Sequence, residues 1–285
     1  MGAEVIQKIT PVLLVGCDEA ELLSLMGNVQ PRSLYKFLSR KSLFQQSVLQ
    51  SLCLSAPVIV CEERYVSLVQ EQLCEIGVNP RSVISVPEDR GAAASVAMAA
   101  FHLKNLNEVM FVVRADQPFS DDDEYNDASE AMCSYVDDGI AIFGGGSVGN
   151  GHCYGLIDYM PDAVEGDIYR VKKLRFDLAL KEADCACSTY AGCFMARPRI
   201  YLEALKNNQC QIYKNVERSY YSAKERGGVM FASTEEFLRI GGAFTECDVI
   251  GNMQNLYVHL LQGRWGVQPW PKAVTRSVAS VLKKA

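Results

Sequence analysis

The segment Ile9–Val15 is a predominantly apolar run that ends directly at Gly16. A short continuous apolar run between polar residues is typical of a strand that is buried on both faces of a parallel sheet. The glycine that follows allows the backbone to turn sharply or to approach another group closely. In open α/β sheets ligands bind beyond the carboxyl ends of the strands, so we expect a binding site just after Val15.

Apolar runs alternate with amphipathic segments through the first half of the chain. Four further runs predict strands, at 57–61, 82–86, 109–113 and 139–143. The segments between them have helical spacing and predict helices, at 42–54, 62–76, 91–106 and 121–136. This alternation indicates right-handed βαβ units and a parallel sheet. The second half is less regular, with strands expected at 154–159, 171–176 and 189–195, helices at 199–205 and 211–223, and a glycine-rich loop at 144–151.

Composition restricts the classes of function. The chain has 285 residues, of which 49% are hydrophobic, and this is enough for a sizeable core. The net charge of −6 argues against a general nucleic-acid binder, which would need a basic surface. Neither a transmembrane run nor a signal peptide is evident, so we expect no membrane partner and a cytoplasmic location.

The eleven cysteines are scattered along the chain, and no two have the C-x-x-C spacing of zinc and redox sites. Most lie in apolar segments, where cysteine behaves as a small hydrophobe. Buried free thiols are therefore favoured over a metal site, although Cys185, Cys187 and Cys193 form a denser group.

A set of residues in the segment 9–46 fits a known signature without a gap: Pro11, Gly16, Leu22, Leu25, Pro31, Leu38, Lys41, Ser42 and Gln45. On these residues the chain resembles the sugar-phosphate nucleotidyltransferases, and most closely the mannose-1-phosphate guanylyltransferases. The resemblance implies that the loop after the first strand contacts the nucleotide, through Val15, Gly16 and Cys17. It also implies that Arg32, which replaces the signature lysine with another cation, is catalytic.

The same loop differs from the family signature at positions expected to lie near the phosphates of the nucleotide. Cys17 and Glu19 stand at the second and third glycines of the signature, and Glu21 stands at its catalytic arginine. A carboxylate about 4 Å from a phosphate charge costs on the order of 4 kcal/mol at an effective dielectric constant near 20. A Mg²⁺ held between the carboxylates and the phosphates would offset this cost. The alternative interpretation of the loop is a solvated acidic turn that leads into a helix.

Two further motifs follow predicted strands. Arg114–Gln117 resembles the family motif L-P-A-D-H, which implies that Asp116 is a catalytic, nucleotide-binding and Mg²⁺-binding residue. From the residues alone, an aspartate at the end of a parallel strand is also a common helix N-cap or turn residue. Pro87–Ser95 resembles the segment that touches the nucleotide base, which implies that Arg90 and Gly91 bind the nucleotide. The alternative there is an ordinary helix start after a strand.

Weaker motifs in the second half imply a sugar-phosphate site at Tyr154, Gly155 and Gly192. Phe176 and Asp177 stand where the family has a sugar-binding glutamate and a phosphate-binding lysine. Gly266 stands at its second metal-binding aspartate. For each of these segments, plain core packing is the alternative interpretation.

The resemblance implies an α/β fold, namely a Rossmann-like, three-layer nucleotidyltransferase (glycosyltransferase-A-like) fold with a mainly parallel mixed central sheet. It further implies a single domain over residues 1–285, with a nucleotide-binding half at about 1–145 and a sugar-phosphate-binding half at about 146–285. The chain stops soon after Trp270, so no C-terminal β-helix or cupin domain is expected.

Three functions fit these observations. The first is conversion of GTP and mannose 1-phosphate to GDP-mannose and pyrophosphate with Mg²⁺, at a weak or absent rate because charged groups of the family are replaced. The second is a catalytically silent relative that binds a nucleotide, a nucleotide sugar or a partner subunit, which would be a second copy or an active paralogue. The third is a different transferase on the same sheet. The charge changes favour the second, and the resemblance favours the first.

Overall fold

The computed structural model of the protein describes residues 7–16, 30–36, 40–119, 121–145, 155–176, 186–242 and 248–262. The strands are β1 (Ile9–Val15), β2 (Val58–Glu62), β3 (Ser82–Val86), β4 (Val109–Arg114), β5 (Ile140–Gly145), β6 (Leu156–Glu165), β7 (Ile168–Arg175), β8 (Ala186–Ala196), β9 (Lys224–Arg226), β10 (Val229–Phe231) and β11 (Leu256–Leu261). The α-helices are α1 (Leu43–Ser51), α2 (Val66–Glu75), α3 (Ala92–Leu103), α4 (Asp122–Met132), α5 (Pro198–Asn208), α6 (Cys210–Tyr221) and α7 (Thr234–Phe237).

The predicted parallel sheet is confirmed for β1 to β4, whereas β5 pairs antiparallel with β8 and in parallel with β11. Strand β1 lies between β4 and β2, and β3 follows β2, with all of these pairs parallel. Strand β1 is buried along its whole length, as its continuous apolar run predicts. The carboxyl ends of these strands therefore meet at one edge of the sheet, where the candidate site was expected.

Two separate apolar cores lie on the two faces of this sheet. Helices α3, α5 and α6 contribute to one core, and α1, α2 and α4 contribute to the other. Alternate residues of β1 divide between them, with Val12 and Leu14 on the first face and Leu13 and Val15 on the second. Helices on both faces of a central sheet give the expected three-layer α/β arrangement.

The second half of the chain extends the sheet with antiparallel strands. Strand β8 pairs antiparallel with β4, and β6 and β7 form an antiparallel pair beside it. Because β5 pairs with both β11 and β8, the strands β5, β11, β7, β6 and β8 form a closed circuit. The expected mixed sheet is therefore present, with its parallel strands concentrated around β1.

Several predicted boundaries were wrong, each for a local reason. The predicted loop at 144–151 begins too early, because Gly144 belongs to β5. A Cβ at Gly144 would lie 2.9 Å from the Ser188 hydroxyl oxygen and 3.0 Å from Leu260. The glycine thus allows neighbouring strands to approach closely. The predicted helix at 62–76 also begins too early, because Glu62 pairs with Val86 as the last residue of β2.

The structure contains elements that the sequence patterns did not predict. The short hairpin β9–β10 adds to the sheet through parallel pairing of β10 with β3, and β11 pairs in parallel with β5. The expectation of mostly buried thiols is wrong for Cys53, Cys74 and Cys210, which are exposed, whereas Cys61 and Cys193 are buried. Within the described residues, no helix has the length and apolar character needed to cross a membrane.

Candidate functional site

The Gly16 turn lies between two carboxylate residues at the carboxyl edge of the sheet. The register of β1 with β2 ends at Val15 and Cys61, so one more residue places Gly16 level with Glu62. The register of β1 with β4 ends at Leu14 and Arg114, so two more residues place Gly16 level with Asp116. The backbone N–H of Ala115 donates to the carbonyl of Leu14 at 2.9 Å, which extends the pairing to the residue before Asp116. Since neighbouring strands lie about 4.8 Å apart, both carboxylates flank the turn.

Two features of the backbone favour glycine at position 16. Its φ of +83° lies in the left-handed region, which favours glycine. A Cβ there would lie 2.9 Å from Cγ of Pro31 and 3.5 Å from the ring of Tyr65. Pro31 directly precedes the 3₁₀ turn Arg32–Leu34, whose residues are buried. The predicted catalytic Arg32 thus lies in a segment that packs against the Gly16 turn.

Buried hydrogen bonds hold the Arg32 turn against the helices on its side of the sheet. Gln72 of α2 donates through Nε2 to the carbonyl of Leu34 at 2.8 Å. Its amide oxygen accepts from the hydroxyl of Ser42 at 2.5 Å. Ser42 is also the N-cap of α1, in a capping box with Gln45. These contacts fix the turn relative to both α1 and α2.

Asp116 is buried, with 3% exposure, and forms an ion pair inside the chain. The Nε of Arg114 lies 3.3 Å from Oδ1 of Asp116, and the arginine is itself buried. Helix α1 supports the segment around this pair. The hydroxyl of Ser47 donates to the carbonyl of Ala115 at 3.2 Å, and Oε1 of Gln50 accepts from the N–H of Phe119 at 2.8 Å.

Glu62, on the other side of Gly16, is a second buried acid. Burial raises the pKa of its carboxyl above the ordinary value, and the negative charge of Asp89 acts in the same direction. An ion pair with the exposed Arg64, at 2.9 Å, opposes these effects without cancelling them. Gly16, Asp89 and Ser95 of α3 line a gap beside this carboxyl that is too narrow to hold a water molecule.

The predicted base-contacting residues lie at the same edge, and both are engaged within the chain. Gly91 has a φ of +84° and is the N-cap of α3. Its N–H donates to the carboxylate of Asp89 at 2.8 Å. The neighbouring Arg90 forms an ion pair with Glu88. The N-terminus of α3, where the helix dipole favours an anion, therefore already binds the carboxylate of Asp89.

The predicted sugar-phosphate residues approach the edge from β8 and β6. Gly192 has a φ of +77°, and continuing the β8–β4 register by two residues places it level with Arg114. Gly155 accepts a hydrogen bond from the N–H of Tyr190 at 2.9 Å. A Cβ at Gly155 would lie 3.0 Å from the ring of Phe176, so an apolar ring covers this glycine.

The structure thus brings Val15, Gly16, Asp116, Arg32, Arg90, Gly91 and Gly192 toward one edge of the sheet. Cys17 and Tyr154 lie outside the described residues. Sequence reasoning assigned no role to Arg114 or Glu62. Each is a charged residue at the last position of an otherwise apolar strand. A charge buried there needs a partner of opposite charge, and this pattern could have identified both residues.

The described residues do not fit a Mg²⁺ site built on Asp116. Its carboxylate already accepts a hydrogen bond from the buried guanidinium of Arg114. Magnesium is usually held by one or two carboxylates together with waters and substrate phosphates. Over the described ranges, no group of three His, Cys, Asp or Glu residues could hold a metal ion.

Comparisons with known proteins point to one family. The family model described as nucleotidyl transferase matches residues 11–174, which is more than half of the chain. A mannose-1-phosphate guanylyltransferase from Salmonella typhimurium is 24% identical over 280 residues, which cover 90% of this chain and 56% of the relative. The alginate biosynthesis protein AlgA from Pseudomonas putida is 27% identical over 232 residues, which cover 77% of this chain and 48% of the relative. The chain thus spans about half the length of these curated relatives.

Solved structures agree with this fold. A mannose-1-phosphate geranyltransferase from Thermus thermophilus superposes with a TM-score of 0.74 at 19% identity, covering 97% of this chain and 79% of the other. At that identity, the similarity establishes the fold alone.

Proposed function

The chain belongs to the nucleotidyl transferase family, and on this premise we propose that it binds a nucleotide and a sugar 1-phosphate as a mannose-1-phosphate guanylyltransferase-type protein. In that reaction a phosphate oxygen of mannose 1-phosphate attacks the α-phosphorus of GTP. Pyrophosphate leaves, and GDP-mannose forms. The observation that supports the proposal is the parallel register of β1 with β4, which runs to Leu14 and Arg114, two residues before Gly16 and Asp116.

In this proposal the nucleotide lies over the Gly16 turn, where the absence of a side chain permits close approach of the backbone. Arg32 supplies positive charge from the buried turn beside it. Arg90 and Gly91 border the base, and Tyr154, Gly155 and Gly192 border the sugar phosphate. Phosphoryl-type transfer needs little covalent chemistry from a protein, so alignment and charge neutralisation determine its rate.

We expect turnover to be slow. Glu21 and Gly266 remove a cation and a metal ligand that the family resemblance implies. Phe176 replaces a sugar-binding carboxylate, and its ring lies against Gly155. Loss of one preorganised charge contact typically lowers a rate by about 10²–10³. Several such losses together leave little catalysis.

The second candidate is a catalytically silent relative that binds a nucleotide, a nucleotide sugar or a partner subunit. The ion pair between Arg114 and Asp116 favours it, because this pair occupies the carboxylate that the resemblance assigns to the metal. Such a protein would retain ligand affinity without pyrophosphate release.

The two candidates are separated by incubating the protein with GTP, mannose 1-phosphate and Mg²⁺ and measuring pyrophosphate. A thermal-shift series with nucleotides runs beside it, in which a ligand at 100 times its Kd adds about 2.7 kcal/mol of stability. Slow pyrophosphate release with a clear thermal shift supports the guanylyltransferase proposal. A thermal shift without release supports a silent relative that binds a nucleotide. The absence of both signals contradicts the guanylyltransferase proposal and leaves only a silent relative that binds a partner subunit.

A further inference from the structure

Arg114 is a cation fixed inside the candidate site. It ends β4, a strand whose other residues are all apolar and buried. Alternate residues of a strand face the same side, and Met110 and Val112 of β4 belong to the core on the α3 side. Arg114 continues this series, so its side chain extends toward the face on which α3 begins.

Asp116 positions this cation. Its Oδ1 lies 3.3 Å from Nε of Arg114, and the side chains of both residues are at most 10% exposed. A buried guanidinium needs a partner because an unpaired charge in the protein interior is strongly unfavourable. One partner of Arg114 is the same carboxylate that the family resemblance assigns to Mg²⁺.

Resting on the proposed function, we propose that Arg114 takes the place of the divalent cation at this edge. Asp116 then acts as the positioning residue of Arg114 rather than as a metal ligand. The guanidinium offers N–H donors to the phosphates of a nucleoside triphosphate, and arginine forms strong charge-assisted hydrogen bonds with phosphate. Binding of the triphosphate at this site consequently does not require a divalent metal.

The measurement is the Kd of the tightest-binding ribonucleoside triphosphate, determined by calorimetry in EDTA and again in MgCl₂. For the native protein the two values should agree within about twofold. Arg114→Gln should weaken binding in EDTA by about 10- to 100-fold, the usual effect of losing a hydrogen bond to a charged group. Arg114→Lys, which keeps the charge, should recover part of this loss.

Asp116→Asn gives the sharpest contrast. The amide oxygen can still accept from Nε of Arg114, while a negative charge near the phosphates is removed. Affinity in EDTA should therefore rise, by about 3- to 10-fold. If Asp116 were a metal ligand, the same variant would lose a Mg²⁺-dependent gain in affinity. Unfolding curves verify that each variant is folded, and if Arg114→Gln is not, the Asp116→Asn comparison decides alone.

The outcomes separate this inference from the proposed function. A native protein that binds triphosphate about tenfold or more tightly with Mg²⁺ than in EDTA overturns the role of Arg114 and leaves the proposed function intact. A native protein that binds no ribonucleoside triphosphate in either buffer overturns both.

Discussion

The ring of Pro31 packs so closely against Gly16 that a Cβ on the glycine would lie 2.9 Å from Cγ of the proline. This contact joins the turn after β1 to the segment that carries Arg32. The position of Arg32 in the proposed nucleotide site therefore depends on the conformation of the Gly16 turn.

Gly16→Ala should destabilise the protein more than an alanine at an unobstructed glycine. Gly77 provides the matched control, since it also has a positive φ, +66°, but no atom lies within 4 Å of the place that its Cβ would occupy. Both alanines carry the cost of a left-handed conformation, about 1–2 kcal/mol. Only Gly16→Ala also forces a steric overlap, which should add about 1–3 kcal/mol. Urea unfolding of the two variants measures the difference, and equal losses would contradict the close contact with Pro31.

Gln72→Leu should both destabilise the chain and weaken nucleotide binding. The substitution leaves the buried carbonyl of Leu34 and the hydroxyl of Ser42 without Gln72 as partner. Each unsatisfied buried group costs about 1–3 kcal/mol, so we expect a total loss of about 2–4 kcal/mol. Nucleotide affinity should fall as well, because the Arg32 turn is no longer held.

The exposed Gln70, on the same helix, is the control for that substitution. Gln70→Leu should change the unfolding free energy by no more than about 0.5 kcal/mol. If both variants lose the same stability, the hydrogen bonds of Gln72 are not what holds the turn.

Glu62→Gln should change the pH dependence of stability. Burial raises the pKa of the Glu62 carboxyl from its ordinary value of 4.5, so the folded state binds this proton more tightly than the unfolded state. The resulting stabilisation is complete below the ordinary pKa and is lost as the pH rises through the raised pKa of the folded state. The amide variant cannot ionise and avoids this loss.

Thermal unfolding from about pH 4 to about pH 8 therefore tests whether Glu62 is buried. This range starts near the ordinary glutamate pKa and extends above it, so it includes the pH at which the stabilisation is lost. The advantage of Glu62→Gln over the native protein should increase with pH. Glu63→Gln alters an exposed neighbour and should follow the native curve. A constant difference across the range would show that Glu62 is not buried with an elevated pKa.

The first half of the fold could be predicted because its strands are continuous apolar runs buried on both faces. Strands β1 and β3 have the predicted bounds, and β4 extends one residue further. The second half lacked this signal. Most of β6 is exposed, and β9 has three exposed residues, so neither forms a long apolar run. The β11 run is apolar, but its pairing with β5 joins residues more than a hundred positions apart.

The site was predictable to the same extent. A strand followed by Gly16 and another followed by Asp116 indicated one edge of a parallel sheet. The register of β1 with β4 runs to Leu14 and Arg114, two residues before Gly16 and Asp116. The pairing of Arg114 with Asp116 was not predictable, because it depends on side-chain orientation at the end of the strand. The position of Phe176 against Gly155 likewise depends on the fold of β6 and β7.

Both the guanylyltransferase proposal and the role of Arg114 require that a nucleotide binds at the carboxyl edge formed by β1, β3 and β4. Hydrogen–deuterium exchange with and without saturating GTP tests this binding site directly, because it shows which backbone amides become protected when GTP binds. We expect protection in peptides covering residues 86–96 and 109–119, with little change in 198–221 on α5 and α6. Protection confined to α5 and α6, or no protection at a GTP concentration that shifts thermal unfolding, would show that the nucleotide does not bind at this edge.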